Sequence, residues 1–258
     1  MCGSSTNPED VERLMNYAEV DCYITDPPYN VDYEGSAGKI ANDHMDDNSF
    51  MQFLHDAFSC AYSVMKPGAS FYIWHADSNG YAFRKSANDT GLKVRQCLIW
   101  KKDTLVLGRQ DYQWIHEPCL YGWKEGASHY FIDDHSFTTV YEDGINIDKM
   151  KLTDARDLLH KLLDSKVPTS VINEPKPARN AEHPTMKPVK LIGRIMANST
   201  KKGDVVYDGF GGSGTTLIAA EQLHRRCYMM ELDPRFVDVI IKRYEEFTGD
   251  KAVLLNDR

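Results

Sequence analysis

The sequence predicts an open, mostly parallel α/β sheet, and three observations carry that prediction. Toward the end of the chain, short β-forming runs alternate with helical periodicities. A glycine-rich turn, Gly209-Phe210-Gly211-Gly212-Ser213-Gly214, separates a strand-like run from a helix-like one. Near the start, Asp26-Pro27-Pro28-Tyr29 halts another strand-like run. Sheets of this kind gather their ligands beyond the carboxyl ends of the strands. Both turns are therefore candidate pieces of a site.

The elements follow in order. Residues 8–17 read as a polar helix, and 21–25 as a buried strand ending at the rigid Asp-Pro-Pro turn. Gly and Asp crowd 32–48, which reads as a mobile loop. Asn48 or Ser49 can cap the next helix, in which Phe50, Phe53, Leu54, Ala57, Phe58, Ala61, Val64 and Met65 recur at three and four. Lys66-Pro67-Gly68 stops it, and strands are expected over 70–74, 95–101 and 117–123. Residues 124–182 change character, with weak hydrophobic periodicity, frequent acids and only one helical run, 152–163. They read as an inserted lobe or long loop. Pro188 suits the first turn of a helix whose inner face is Leu191, Ile192, Ile195 and Met196. The series closes with a strand at 205–207, a helix at 216–223, a strand at 226–230 and a last helix marked by Phe236, Val239, Ile240, Tyr244 and Phe247.

At roughly 100–200 residues per domain, 258 residues allow one large domain or a domain with an appendage. Apolar residues at 42% and charged residues at 26% exclude fibrous, collagen-like and wholly disordered chains. There is no run long and apolar enough to span a bilayer, and the first residues lack the basic and apolar regions of a secretory signal. Cysteines 2, 22, 60, 97, 119 and 227 form no C-x-x-C pair, which points to reduced structural thiols and a cytoplasmic setting with no metal. A net charge of −8 argues against nucleic-acid binding by overall charge, so such a partner needs a local basic face.

The glycine turn fits G-x-G-x-x-G in the strand–turn–helix context that pattern requires. Glu231 follows Gly211 by 20 residues, at the end of the next strand, where an acid can accept hydrogen bonds from ribose hydroxyls. Together they indicate an adenosine-containing cofactor, either NAD-like or S-adenosylmethionine (SAM). Position separates the two. Only 27 residues follow Glu231, so a dehydrogenase would need its catalytic part upstream in an unusual order. Asp208, at the strand end, suits an ammonium group and would repel a pyrophosphate.

The chemistry of Asp26-Pro27-Pro28-Tyr29 can be read directly. The prolines fix the backbone and remove two amide donors, leaving the Pro27 carbonyl as a rigid acceptor. Asp26 supplies a second acceptor, and Tyr29 a flat aromatic face. Two converging acceptors suit an exocyclic –NH2, and an extruded base can stack on the ring for about 1–3 kcal/mol. An ordinary loop terminator is the plain alternative.

With these motifs in hand, the chain resembles the β-group DNA amino-methyltransferases, in which the catalytic motif precedes the SAM motif. The resemblance rests on DPPYNVDYEG at 26–35, Asn42-Asp43, LIWKKD at 98–103, HEPCLYGWKEG at 116–126, HPTMKPVKLI at 183–192, DGFGGSGTT at 208–216 and CYMMELDP at 227–234. It implies a circularly permuted, seven-stranded SAM-dependent methyltransferase fold. It divides the chain into a catalytic half (1–123), a target-recognition insertion (124–182) and a SAM-binding half (183–258). It implies that Asp208, Phe210, Gly212, Ser213, Gly214 and Thr215 line the methionine end of SAM, that Glu231 holds the ribose, and that Thr185 and Lys187 meet the SAM carboxylate. Three positions depart from the family pattern. Asp208-Gly209-Phe210 replaces Asp-Pro-Phe, Met186 replaces the usual Gln, and Gly3-Ser4 replaces Gly-Asp. Relatives often carry an N-terminal extension, which leaves room for a domain preceding this chain, and a homodimer stays open.

The activity so implied is methyl transfer from SAM to the N6 amine of a flipped-out adenine in double-stranded DNA, in a bacterial, phage or mobile-element restriction–modification setting, with Asp26, Pro27 and Tyr29 catalytic. The amine lone pair is delocalised into the ring. Hydrogen bonds from both N–H groups favour a pyramidal nitrogen and stabilise its developing charge. Extrusion costs a few kcal/mol. Pro118-Cys119 resembles the Pro-Cys pair of cytosine-C5 enzymes, but a buried structural thiol is expected there. The charge is uneven. Residues 183–203 hold five Lys/Arg and no acid, 84–109 hold seven against two acids, and 131–164 hold eight acids against four bases. Arg84, Lys85, Lys101, Lys102 and Arg109 are the candidate phosphate contacts. Competing readings are cytosine-N4 methylation, methylation of an RNA or protein amide, a binding module without turnover, and an NAD dehydrogenase.

Overall fold

The computed structural model describes residues 1–31, 34–35, 38–39, 43–106, 111–133, 171–173 and 186–255. Helix α1 (Pro8–Met15) starts on the Asn7 side chain, which accepts from the Glu9 amide, with proline at the position that needs no donor. It leads into β1 (Val20–Thr25), nearly all of it buried. A two-rung ladder, β2 (Glu34–Gly35) with β3 (Gly38–Lys39), lies inside the loop expected over 32–48; its flanking residues are outside the described set. Helix α2 (Asp47–Val64) is capped by Asp46, whose carboxylate accepts from the Asn48 and Ser49 amides. The cap therefore lies two residues before Asn48 and three before Ser49, the positions expected. Strand β4 (Met65–Trp74) follows directly, and its Lys66-Pro67-Gly68 start forms an irregularity, with Val20 opposite Met65 and Cys22 opposite Ser70.

A helix absent from the sequence reading, α3 (Gly80–Asp89), comes next. It buries only Phe83, Ser86 and Ala87, too sparse a stripe to register as helical. Strands β5 (Lys93–Val106) and β6 (Trp114–Trp123) pair antiparallel and run longer than expected. Strand β7 (Val171–Asn173) joins β5 in parallel. That corrects the expectation for 124–182, because three of its residues extend the main sheet. Residues at its start also pack on the core: the Lys124 ammonium donates to the Tyr62 and Met65 carbonyls. The helical run expected over 152–163 lies outside the described residues.

Helix α4 (Val189–Ser199) has Pro188 just before its first turn, in extended conformation, rather than inside it. Strand β8 (Val205–Asp208), helix α5 (Thr215–Gln222), strand β9 (Arg226–Met229) and helix α6 (Pro234–Thr248) complete the chain close to expectation.

The sheet has seven strands in the order β7-β5-β6-β4-β1-β8-β9. The β1–β4, β1–β8, β8–β9 and β5–β7 pairs are parallel; those of β6 with β4 and β5 are antiparallel. Strand alternation sends Tyr23 to one face with Phe71, Tyr207 and helices α1 to α3. Cys22 and Ile24 go to the other with Val206 and helices α4 and α5. The result is helices on both faces of a mostly parallel sheet, as the sequence predicts. From β1 the chain winds one way to β4, and from β8 the other way to β9. The crevice at that reversal lies beyond the ends of β1 and β8.

Candidate active site

Asp26 follows β1 and Asp208 ends β8, and these strands are hydrogen-bonded neighbours. Residues far apart in sequence thus meet across one strand spacing, and the Thr25 hydroxyl donates to Asp208 Oδ1 at 3.4 Å. Between them opens a cavity of about 500 Å³, inside the roughly 300–1,000 Å³ range of small-molecule sites. Asp26, Pro27 and Tyr29 line it together with Phe210, Ser213 and Glu231.

On the β1 side the turn is held from behind. Asn79 Nδ2 donates to the Tyr29 carbonyl at 2.6 Å, and the Asn30 side chain both accepts from and donates to the Met45 backbone. Asn30 itself takes a left-handed φ of 56°, a conformation asparagine tolerates better than most residues. The Tyr29 hydroxyl donates to Asp26 Oδ1 at 2.6 Å. Lys187 Nζ donates to Asp26 Oδ2 at 2.5 Å and to the Tyr29 oxygen at 3.0 Å. Glu117 sits behind this pair, 2.5 Å from Lys102 and 3.4 Å from Lys187. Strand register explains its arrival, since Glu117 on β6 lies opposite Trp100 on β5 and beside Lys102.

The electrostatics fix the charges of this wall. Burial acts against the Lys187 ammonium, but Asp26 and Glu117 outweigh it and hold its pKa above the ordinary lysine value. Burial likewise opposes the Glu117 carboxylate, and Lys187 and Lys102 outweigh it to hold its pKa low. Burial and then the Asp26 charge push the Tyr29 phenol well above its usual range. Neither Lys187 nor Tyr29 is a base at neutral pH.

The β8 side is built from backbone. Gly211 packs where a Cβ would fall 2.7 Å from Met229 Cγ, and Gly214 takes φ +83° against Ile240; only glycine serves at both. Glu231 accepts from the Gly212 amide at 2.8 Å and the Asp233 amide at 2.9 Å, which fixes its carboxylate at the rim. Asp208 accepts from Thr216 Oγ1 at 2.6 Å and the Phe210 amide at 3.1 Å. Burial pushes its pKa up to about 7 despite those bonds, and burial also raises that of Glu231. Phe210 meets Phe53 edge-on at 5.8 Å, giving an aromatic wall.

Most expected site residues therefore converge. Asp26, Pro27, Tyr29, Asp208, Phe210, Gly212, Ser213, Thr215 and Glu231 share the cavity. Gly214 does not line it and serves as the left-handed residue that opens α5. Lys187 lines it, but its ammonium is spent on the β1 turn, where the expectation had it facing a cofactor anion. Thr185 lies outside the described residues. The proposed phosphate contacts divide. Arg84 and Lys101 are exposed. Lys85 is exposed and pairs with Asp89 along its own helix. Lys102 is a correction: only 7% of it is exposed and it is bound to Glu117, so it belongs to the cavity rather than to an outer face. Arg109 lies outside the described residues. Lys201 and Lys202 precede β8 and so sit at the end of the sheet opposite the cavity, away from Lys187 of the same basic 183–203 stretch. Cys119 is fully buried, and burial pushes its thiol well above the usual range, as expected of a structural cysteine. Sequence reasoning missed Glu117, Phe53, Asn79 and Thr216. The Asn79 and Glu117 contacts arise only through tertiary pairing, although Glu117 stood inside a quoted motif.

The sequence model of a DNA methylase family matches residues 20–243. The chain is 24% identical over 249 residues to the type II methyltransferase M.HpaI of Haemophilus parainfluenzae, covering 94% of this chain and 74% of that protein. It is 27% identical over 245 residues to the type II methyltransferase M2.DpnII of Streptococcus pneumoniae, covering 90% and 84%. Among solved structures, the M1.HpyAVI–SAM complex aligns with a TM-score of 0.65 at 20% identity, covering 94% of this chain and 97% of that one. The cytosine-N4-specific PvuII DNA methyltransferase aligns with a TM-score of 0.66 at 16% identity, covering 96% and 89%. At these identities the solved structures establish the shared methyltransferase fold.

Proposed function

The chain belongs to the DNA methylase family of N6/N4 amino-methyltransferases, and on that premise we propose that it methylates the exocyclic N6 amine of an adenine swung out of duplex DNA, using S-adenosyl-L-methionine. The observation that carries this reading is the single cavity shared by the Asp26-Pro27-Pro28-Tyr29 turn and the glycine turn.

The residues present suit the cofactor. Two buried or half-buried carboxylates, Asp208 and Glu231, face the cavity, and among the described residues their hydrogen-bond donors are amides and hydroxyls. That donor set fits an ammonium at Asp208 and a ribose diol at Glu231. Phe210, Gly212, Ser213 and Thr215 complete the proposed wall. When bound, SAM supplies an activated methyl group. Asp26 and the Pro27 carbonyl act as twin acceptors for the amine N–H groups, opposing delocalisation of its lone pair and stabilising the charge that develops on nitrogen. Tyr29 offers its ring to the extruded base, and its hydroxyl orients Asp26. Arg84, Lys85, Lys101 and Arg109 are the proposed phosphate contacts. The 124–182 segment is proposed to read the DNA sequence, and the expected setting is the bacterial cytoplasm.

The test is incubation with methyl-labelled SAM and mixed-sequence unmethylated DNA, followed by nucleoside mass spectrometry. N6-methyladenine is the expected product. N4-methylcytosine would transfer the same mechanism to cytosine, and label on neither base would overturn the reading.

A further inference from the structure

Glu117 belongs to neither turn, and the chemistry above gives it no task. Its carboxylate nevertheless stands in the cavity wall with Oε1 2.5 Å from Lys102 and Oε2 3.4 Å from both Lys187 Nζ and the Tyr29 hydroxyl. Lys187 is 5% exposed at its side chain and holds Asp26 Oδ2 at 2.5 Å. Its ammonium therefore lies between two carboxylates, tight on one and just short of the other.

That placement conflicts with catalysis. An alkylammonium on Asp26 presents N–H donors where an exocyclic amine must present its own. It also sets a full positive charge beside the nitrogen on which positive charge must develop, and like charges repel most strongly where water is excluded. Asp26 cannot act on the amine at full strength while Lys187 stays.

We propose that Lys187 is a resident stand-in for the target amine, and that Glu117 is the positioning residue which receives its ammonium when the amine enters. The inference rests on the amine-transfer reading and deepens it. Glu117 is suited to the exchange because Lys102 occupies Oε1 and leaves Oε2 aimed at Lys187. A shift of roughly 0.5–1 Å by a flexible four-carbon stem converts the 3.4 Å approach into a charge-assisted hydrogen bond. Two carboxylates and two ammoniums are present before and after, so the exchange strands no buried charge. Before the amine arrives, Lys187 keeps the half-buried Asp26 from standing unpaired.

Glu117→Gln keeps the shape of the side chain and removes the charge that draws Lys187 away. At saturating SAM and DNA, its single-turnover methylation rate is expected to fall at least about tenfold, with SAM affinity by calorimetry within about twofold of wild type. Adding Lys187→Met to Glu117→Gln removes the stranded cation and is expected to recover at least about fivefold over the single variant. Glu117→Asp, which keeps the charge, is expected to retain most of the rate. A purely structural Glu117 would make the double variant slower than the single one, and that result overturns the proposal. So does wild-type speed in Glu117→Gln, or SAM binding lost in Glu117→Gln and Glu117→Asp alike. A wild-type enzyme that labels no amine sinks the amine-transfer reading itself, whereas normal wild-type turnover with an indifferent Glu117→Gln sinks only the exchange.

Discussion

On the β1 side of the cavity, Asp26 and Glu117 are matched by Lys187 and Lys102. On the β8 side, Asp208 and Glu231 are held by backbone amides and hydroxyls, and no lysine, arginine or histidine pairs with either among the described residues. The consequence shows in their titration. Neighbouring ammoniums overcome burial and hold Glu117 low, while burial wins at Asp208 and Glu231 and raises both. The carboxylates of one wall are matched by ammoniums. On the other, the one arginine lining the cavity among the described residues, Arg235, pairs with Asp233 and not with Asp208 or Glu231, so a ligand that brings an ammonium has carboxylates to meet.

Removing the acid proposed to work on the amine breaks the comparison most severely. Asp26→Ala is expected to lower the methylation rate by about 10²–10³-fold, the usual loss on removing one charge-stabilising group. SAM affinity should stay within about threefold, because the β8 wall is untouched. Equal loss of rate and of SAM binding, by single-turnover kinetics and calorimetry, would make Asp26 a cofactor or folding residue and erase the distinction between the walls.

A smaller effect is expected on the opposite side. Glu231→Gln keeps an acceptor for the Gly212 amide but loses the charge offered to a ribose diol. Hydrogen bonds to charged groups contribute about 1.5–3 kcal/mol, so the SAM dissociation constant should rise roughly 10–100-fold, with the rate at saturating SAM little changed. An unaltered dissociation constant would remove Glu231 from the ribose role.

The two walls also differed in how far the sequence disclosed them. Asp26-Pro27-Pro28-Tyr29 and the glycine turn each concentrate their chemistry in a few consecutive residues, so residue type and local backbone carry the information. Lys102 and Glu117 do not. Their partnership comes from the antiparallel register of β5 with β6, and Lys102 in isolation looks like any strand lysine available to a phosphate. Lys187 was legible as a site residue but not in its partner, because strand and helix packing decide whether it faces the glycine turn or Asp26. Three-residue β7 and sparsely apolar α3 were illegible for the opposite reason. Each is stabilised by what it packs against and carries too little periodicity of its own.

The mildest expected effect is also the most direct reading of the missing cation. Asp208 is buried and titrates near 7, far above the usual aspartate value. The cofactor's α-ammonium should bind the ionised carboxylate, so a proton must leave Asp208 below that pH before binding. SAM affinity should consequently fall toward about tenfold per pH unit below about 7, and level off above it until the α-amine itself deprotonates near ~8. Stability runs the other way. Between about 4, where the unfolded carboxyl titrates, and about 7, the folded protein holds a proton that the unfolded chain has released. The apo protein therefore loses stability as pH rises through that window. Asp208→Asn should flatten both dependences, giving weaker SAM binding with no acid limb of its own and a thermal midpoint that declines less between pH 5 and pH 8. Calorimetry and thermal melts across that range check the pair together. An acid limb that survives in Asp208→Asn would assign the titration to another group, Glu231 first, and would leave Asp208 as a packing residue that happens to be charged.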